Sequence, residues 1–169
     1  GDESHLTFFE MLGNFSFGNY FKEEAIRFAF DFFKEMGLPI DHVSIFGGDP
    51  STSSGQALPA DTDSETIWKN LGIEKITRHG RDDNFWGPTG KEGPCGPTSE
   101  LYANNVEIWN LVFNEHYCKN GALTPLPQKG VDTGMGLERL AMVLQSKENI
   151  FENSLFSNRQ DTEKEKYRN

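Results

Sequence analysis

A chain of 169 residues with 36% hydrophobic and 12% aromatic content can bury the core of one domain. Its formal net charge of −10 argues against a domain that grips nucleic acid alone, because phosphate contacts need a basic surface. No apolar run is long enough to span a bilayer as a helix, and the two cysteines, Cys95 and Cys118, make neither a disulfide framework nor a metal spacing. A reducing cytoplasm is therefore the expected compartment. The start, Gly1-Asp2-Glu3-Ser4-His5, carries no targeting segment and no initiator methionine, so a processed, trimmed or incomplete chain is expected.

In chain order, 5–17 is dense in aromatics and reads as a buried strand running into a loop. A helix is predicted over 19–36, with Asn19 as cap, Glu23 and Glu24 in its first turns, and Gly37 and Pro39 at its end. Phe21, Ala25, Phe28, Phe32 and Met36 form its apolar stripe, widened by Ile26, Ala29, Phe30 and Phe33. A strand over 43–46, a surface loop over 51–63, a short helix over 64–71 and a further strand over 73–78 follow, with His42 and His79 at the surface. The stretch 81–99 mixes Gly and Pro with Asp82, Asp83, Asn84, Trp86 and Lys91, and reads as an irregular functional loop that buries little.

The strand 106–117 alternates, with Ile108, Asn110, Val112 and Asn114 on one face and Glu107, Trp109, Leu111 and Phe113 on the other. Asn110 thus sets an amide beside the small apolar wall of Val112; it is either a pocket floor or a polar residue tolerated in a half-buried strand. The run Val131-Asp132-Thr133-Gly134-Met135-Gly136-Leu137-Glu138-Arg139 ends an extended segment, makes a Gly turn and opens a helix whose apolar face is Leu137, Leu140, Ala141 and Leu144. Arg139 projects opposite that face, so a carboxylate and a guanidinium flank a turn that a ligand could approach closely; two solvated charges are the plainer alternative. A dinucleotide-binding fingerprint is rejected, since Arg139 stands where the third glycine belongs, and no P-loop occurs.

The run Gly134-Met-Gly-Leu-Glu-Arg139 resembles motif 3 of the class II aminoacyl-tRNA synthetases, and with Val131-Asp132-Thr133 it is similar to their alanine-specific branch. Thr7–Gly18, Asp83–Trp86 with Gly93-Pro94-Cys95-Gly96-Pro97, and Glu107–Phe113 agree in the same order, so the resemblance covers about 5–156. It implies an α+β fold, an antiparallel sheet flanked by helices, here N-terminally incomplete. It also implies a partial catalytic domain over 1–156, with a charged tail over 157–169. The function implied is that of an alanine–tRNA ligase, as a fragment or truncated form: ATP-dependent activation of alanine to alanyl-adenylate, then transfer to tRNA(Ala). A non-catalytic paralogue that binds alanine and ATP is the alternative.

By the same resemblance Phe9 stacks on adenine and Met11 packs at the nucleotide. Arg139 holds adenine and the γ-phosphate side of ATP. Trp86, Asn110, Val112, Asp132 and Gly134 shape the alanine pocket, with Asn110 on the substrate carboxylate and Asp132 on its ammonium. Asp132 and Arg139 are the catalytic pair. ATP chemistry implies Mg2+, without any ligand set that can be named, and Glu107 is left out as a metal ligand because of its facing. The tRNA is expected to bind mainly through regions absent here, and no membrane partner is expected. Thr98 stands where the family usually has cysteine, and Ala103-Asn104-Asn105 is a short turn where the family has a longer insertion.

Overall fold

The computed structural model describes residues 5–50 and 57–154. The tail expected over 157–169 and the first part, 51–56, of the loop expected over 51–63 lie outside them. The chain divides into a smaller unit, 5–12 with 135–154 among the described residues, and a larger one, 13–134.

The larger unit is built on two long strands, β6 (Glu92–Ala103) and β7 (Val106–Lys119), followed by β8 (Ala122–Gly136), whose last two residues belong to the smaller unit. Both connections are two-residue turns, Asn104-Asn105 and Asn120-Gly121, with positive φ at every position (51° to 80°). That is the backbone sign of type I′ hairpins, which asparagine and glycine adopt at least cost. The sheet order runs β8-β7-β6-β3-β4, where β3 is His42–Phe46 and β4 is Ile76–His79. β3 pairs antiparallel with β6 and parallel with β4. The expected α+β sheet flanked by helices is present, with this one parallel pair added. β2 (Phe15–Phe17) joins β8, and β5 (Phe85–Trp86) joins β6.

The stretch over 81–99 is not an irregular loop. It contains a helical turn, α3 (Arg81–Asn84), then β5, then the first half of β6, and from Cys95 to Leu101 every residue is buried. Glycine makes this possible at Gly96: a Cβ there would lie 1.8 Å from the carbonyl oxygen of Phe113, so the strands approach too closely for any side chain.

Helix α1 (Lys22–Glu35) starts later than the sequence suggests. Asn19 is not its cap; the Ser16 hydroxyl accepts from the Asn19 and Tyr20 amides, and the Glu24 carboxylate accepts from the Phe21 amide. The buried face is Lys22, Ala25, Ile26, Ala29 and Phe33, one step around from the expected stripe, leaving Phe28 and Met36 exposed. Two alanines on that face permit close packing on β7, where Phe32 and Phe33 meet Trp109 and Phe21 meets Phe113. Lys22 is buried because its ammonium reaches the Asp61 carboxylate at 2.7 Å. Asp61 also caps α2 (Thr62–Asn70) through the Ser64 amide, and Trp68 of α2 donates to the Ser99 hydroxyl.

In the smaller unit, β1 (Met11–Leu12) pairs antiparallel with Met135 and Gly136. The N-terminal aromatics are not a buried strand: Phe8, Phe9 and Met11 are all exposed. Helix α4 (Leu137–Leu144) buries Glu138, Leu140, Met142 and Val143, so its apolar face is rotated away from Leu144.

Cys95 and Cys118 lie side by side in a core cluster with Phe46, Leu58 and Leu123. Burial first, and the neighbouring Cys118 second, push the Cys95 thiol up to about 11. Thiolate is the reactive form. Native protein at pH 8 should therefore leave both thiols unlabelled by an aromatic disulfide reagent, with both titrating on denaturation. Rapid labelling of the native chain would contradict this burial.

Candidate alanine and nucleotide sites

The residues expected at the site fall into two sets. Trp86, Asn110, Val112, Asp132 and Gly134 belong to the larger unit, and Phe9, Met11 and Arg139 to the smaller.

In the larger unit, β6 is the common spine. Trp86 lies opposite Gly96 on one edge of β6, while Val112 and Asn110 lie opposite Thr98 and Glu100 on the other. The expected alternation of β7 holds from Trp109 to Phe113, with Trp109 meeting Phe32 and Phe33 of α1 and Phe113 meeting Phe21 just before it. It breaks at Ile108, where the pairing shifts by one residue between Leu101 and Tyr102. The even face carries Asn110 and Val112. Val112 is buried, Asn110 is half-buried, and Trp86 keeps 38% of its surface exposed.

Asn110 does not stand alone. Its Nδ2 donates to Glu100 Oε1 at 3.4 Å, while Glu100 Oε2 accepts from the Ser44 hydroxyl at 2.8 Å and the Tyr102 hydroxyl at 2.7 Å. Asn84 Nδ2 donates onward to Ser44 Oγ and Thr98 Oγ1. The sequence reading assigned no chemistry to Ser44, Glu100 or Tyr102. Glu100, two residues beyond Thr98 in a strand and so on its face, was the available signal. His42 is not simply at the surface either: its ring stacks on Tyr102 at 4.3 Å.

Asp132 lies opposite Phe15, between the buried Val131 and Thr133. Thr133 fixes this stretch: its hydroxyl donates to Asn14 Oδ1 and accepts from the Asn14 amide, and Asn14 Nδ2 donates to the Tyr20 hydroxyl. A Cβ on Gly13 would lie 2.1 Å from the Thr133 carbonyl oxygen, so this contact requires glycine. The Asp132 side chain has no hydrogen bond or ion pair among the described residues, and burial alone raises its pKa. The Gly turn expected after it is not there; β8 runs extended through Gly136, and α4 opens directly from the strand.

In the smaller unit both oxygens of the buried Glu138 accept from the Glu10 amide, and the Leu137 amide donates to the Glu10 carbonyl. This ties the segment carrying Phe9 and Met11 to the first turn of α4, which carries the half-buried Arg139. Met11 lies opposite Gly136, three residues before Arg139.

A cavity of about 290 Å³ also lies in the larger unit, lined among others by Lys22, Asp61, Phe85, Glu115 and His116. None of the expected site residues lines it, and Lys22 is already paired there. Among the described residues no group of three or more His, Cys, Asp or Glu gathers to hold a metal ion. No described helix is long and apolar enough to cross a membrane.

The whole chain from 1 to 168 matches the tRNA synthetases class II (A). The chain belongs to that family. It is 42% identical to an alanine–tRNA ligase of Rubrobacter xylanophilus over 93% of its own length and 21% of the relative's. Comparable matches are an alanine–tRNA ligase of Treponema denticola, at 41% identity over 93% of this chain and 30% of the relative, and one of Petrotoga mobilis, at 42% over 90% and 19%. The chain thus spans under a third of the length of these relatives. The resemblance read from four short segments and this membership agree.

Because its folded-state pKa is raised by burial, Asp132 opposes folding once ionised. Stability falls as pH rises from the ordinary carboxylate value through the raised one. Asp132→Asn should therefore raise the Tm at pH 7 and leave it unchanged at a pH below both values. Thermal melts at the two pH values check this, and a lower Tm at pH 7 would refute it.

Proposed function

We propose that this chain is part of the catalytic domain of an alanine–tRNA ligase, which activates alanine with ATP and passes it to tRNA(Ala) in the cytoplasm. The observation that carries this reading is Asp132, a half-buried carboxylate with no cationic partner, on a stretch pinned by Asn14 and Thr133. A carboxylate held partly out of water with nothing to neutralise it is suited to a substrate ammonium.

In this reading the alanine ammonium pairs with Asp132, its carboxylate meets Asn110, and its methyl meets Val112 beside Trp86 and Gly134. Phe9 stacks on one face of adenine, Arg139 covers the other and reaches the γ-phosphate side, and Met11 packs at the nucleotide. Phe9 and Met11 are exposed and available for that contact. The alanine carboxylate oxygen attacks the α-phosphorus and the bond to pyrophosphate breaks; a terminal ribose hydroxyl of the tRNA then attacks the acyl carbon of the resulting mixed anhydride, taking the alanyl group and releasing AMP. Positioning and charge neutralisation do most of this work. Mg2+ would neutralise phosphate charge, and no residue here is assigned to it. Nothing favours the non-catalytic alternative.

Asp132→Asn should weaken alanine binding by roughly 3–5 kcal/mol, the cost of breaking a desolvated charge pair. Calorimetric titration with alanine tests it; unchanged affinity would end the assignment. Selectivity should be limited as well. A pocket walled by Val112 and Trp86 rejects large side chains by volume, but one methyl or hydroxyl is worth only about 10–200-fold. Adenylate formation, read by ATP–pyrophosphate exchange, should leak to glycine and serine within that range.

A further inference from the structure

Glu100 lies in the middle strand of the sheet with only 9% of its surface exposed, and no lysine or arginine pairs with it among the described residues. Its compensation is three neutral donors from three adjacent strands: Ser44 of β3, Tyr102 of its own β6, and Asn110 of β7. A carboxylate offers only acceptors, so each neighbour must turn a donor toward it. For the Ser44 and Tyr102 hydroxyls this fixes a rotor. For Asn110 it fixes which end of the amide faces the strand centre: Nδ2 toward Glu100, Oδ1 away. Two further observations show that this order is imposed on the amides. Asn110 Oδ1 and Asn84 Oδ1 are both buried and lack any hydrogen-bond partner, an arrangement that costs free energy. An apolar sheet centre would have avoided that cost.

The network also reaches the other wall of the pocket. Asn84, fully buried, donates to Ser44 and Thr98 and ends α3, two residues before Trp86. Thr98, which accepts from Asn84, lies opposite Val112. Asn110 thus bonds the carboxylate directly, Trp86 follows Asn84, which is two hydrogen bonds away through Ser44, and Val112 faces Thr98 at the end of the same chain of bonds.

We propose that Glu100 is a positioning residue for amino acid recognition, acting through Asn110: its carboxylate orients the Asn110 amide so that the second Nδ2 hydrogen is presented to the substrate carboxylate. This rests on the reading of Asn110 as part of the alanine pocket. Glu100 touches no substrate and takes no part in nucleotide binding. Burial and the hydrogen bond to Glu100 both push the Tyr102 hydroxyl upward in pKa, which keeps it a donor and the carboxylate satisfied at any working pH.

The test compares the full chain with Glu100→Gln, Asn110→Ala and the double variant. Each is titrated calorimetrically with the non-hydrolysable sulfamoyl analogue of alanyl-adenylate and, separately, with ATP. Glutamine keeps the shape of glutamate but offers an NH2 where the hydroxyls and the Asn110 amide need an acceptor. Glu100→Gln should weaken the analogue by about tenfold or more, as expected for one hydrogen bond to a charged group, and leave ATP within about twofold. Because Glu100 acts through Asn110, the double variant should bind the analogue no worse than Asn110→Ala alone. Wild-type affinity in Glu100→Gln, additive losses in the double variant, or equal weakening of ATP and analogue would each overturn the proposal. Should Glu100→Gln fail to fold by near-ultraviolet circular dichroism, Tyr102→Phe removes one donor and keeps the ring. It should weaken the analogue about three- to tenfold relative to ATP, and no change would overturn the proposal. A wild-type chain that binds ATP but not the analogue would instead remove the alanine-pocket reading, and this inference with it.

Discussion

A carboxylate in the centre of a sheet is costly to desolvate, and in this protein that cost organises the strands around it. Glu100 is flanked by β3 and β7, and both must bring donors to it. Ser44 and Asn110 occupy the register positions directly opposite Glu100, one on each neighbouring strand. A slip of one residue in either pairing would place Val43 or Ile45, or Trp109 or Leu111, against the carboxylate and take away one of its three donors. The polar triplet therefore specifies register where the residues flanking Ser44 and Asn110, namely Val43, Ile45, Trp109 and Leu111, are apolar and would not by themselves distinguish one alignment from another.

The two faces of β7 then divide the work. Trp109 and Phe113 are covered by the aromatic side of α1, whose alanines let the helix sit close. The opposite face carries Asn110 and Val112 and the network that fixes them. One strand thus supplies core on one side and, in the reading proposed above, the floor of the amino acid pocket on the other, where a rigid backing favours precision. Asp132 is held differently. Its strand is clamped by Asn14 and Thr133, with Gly13 giving the clearance, while its own carboxylate is left without compensation. In the reading proposed above, that uncompensated carboxylate is the partner of the substrate ammonium, a trade of stability for binding.

The smaller unit follows the same logic on a lesser scale. Glu138 spends both oxygens on one backbone amide, that of Glu10, and so fixes the short segment that displays Phe9 and Met11 to solvent. A buried acid that serves as a backbone clamp has no periodicity or spacing that would mark it, and the sequence reading passed over it.

What the sequence determined by itself was the chemistry available and the family. The Asp132-Thr-Gly-Met-Gly-Leu-Glu-Arg139 run, the Trp86 stretch and the 107–113 strand were legible because motif residues keep their order and spacing whatever the packing around them. The helix over 22–35 was legible from its period, and the hairpin at Asn104-Asn105 from its length. The tertiary structure decided everything that depends on what covers a surface. It centred the buried face of α1 on Ala25, Ile26, Ala29 and Phe33 and left Phe28 and Met36 exposed. It exposed Phe8 and Phe9, whose aromatic density alone suggested burial. It made a Gly- and Pro-rich stretch into a strand buried without a break from Cys95 to Leu101, because Gly96 allows an approach to Phe113 that no local rule foretells. It also joined Ser44, Asn84, Glu100, Tyr102 and Asn110 into one network. Those residues come from four separate elements, and a hydrogen bond between residues 56 positions apart, such as Ser44 to Glu100, leaves no trace in the local pattern of the chain.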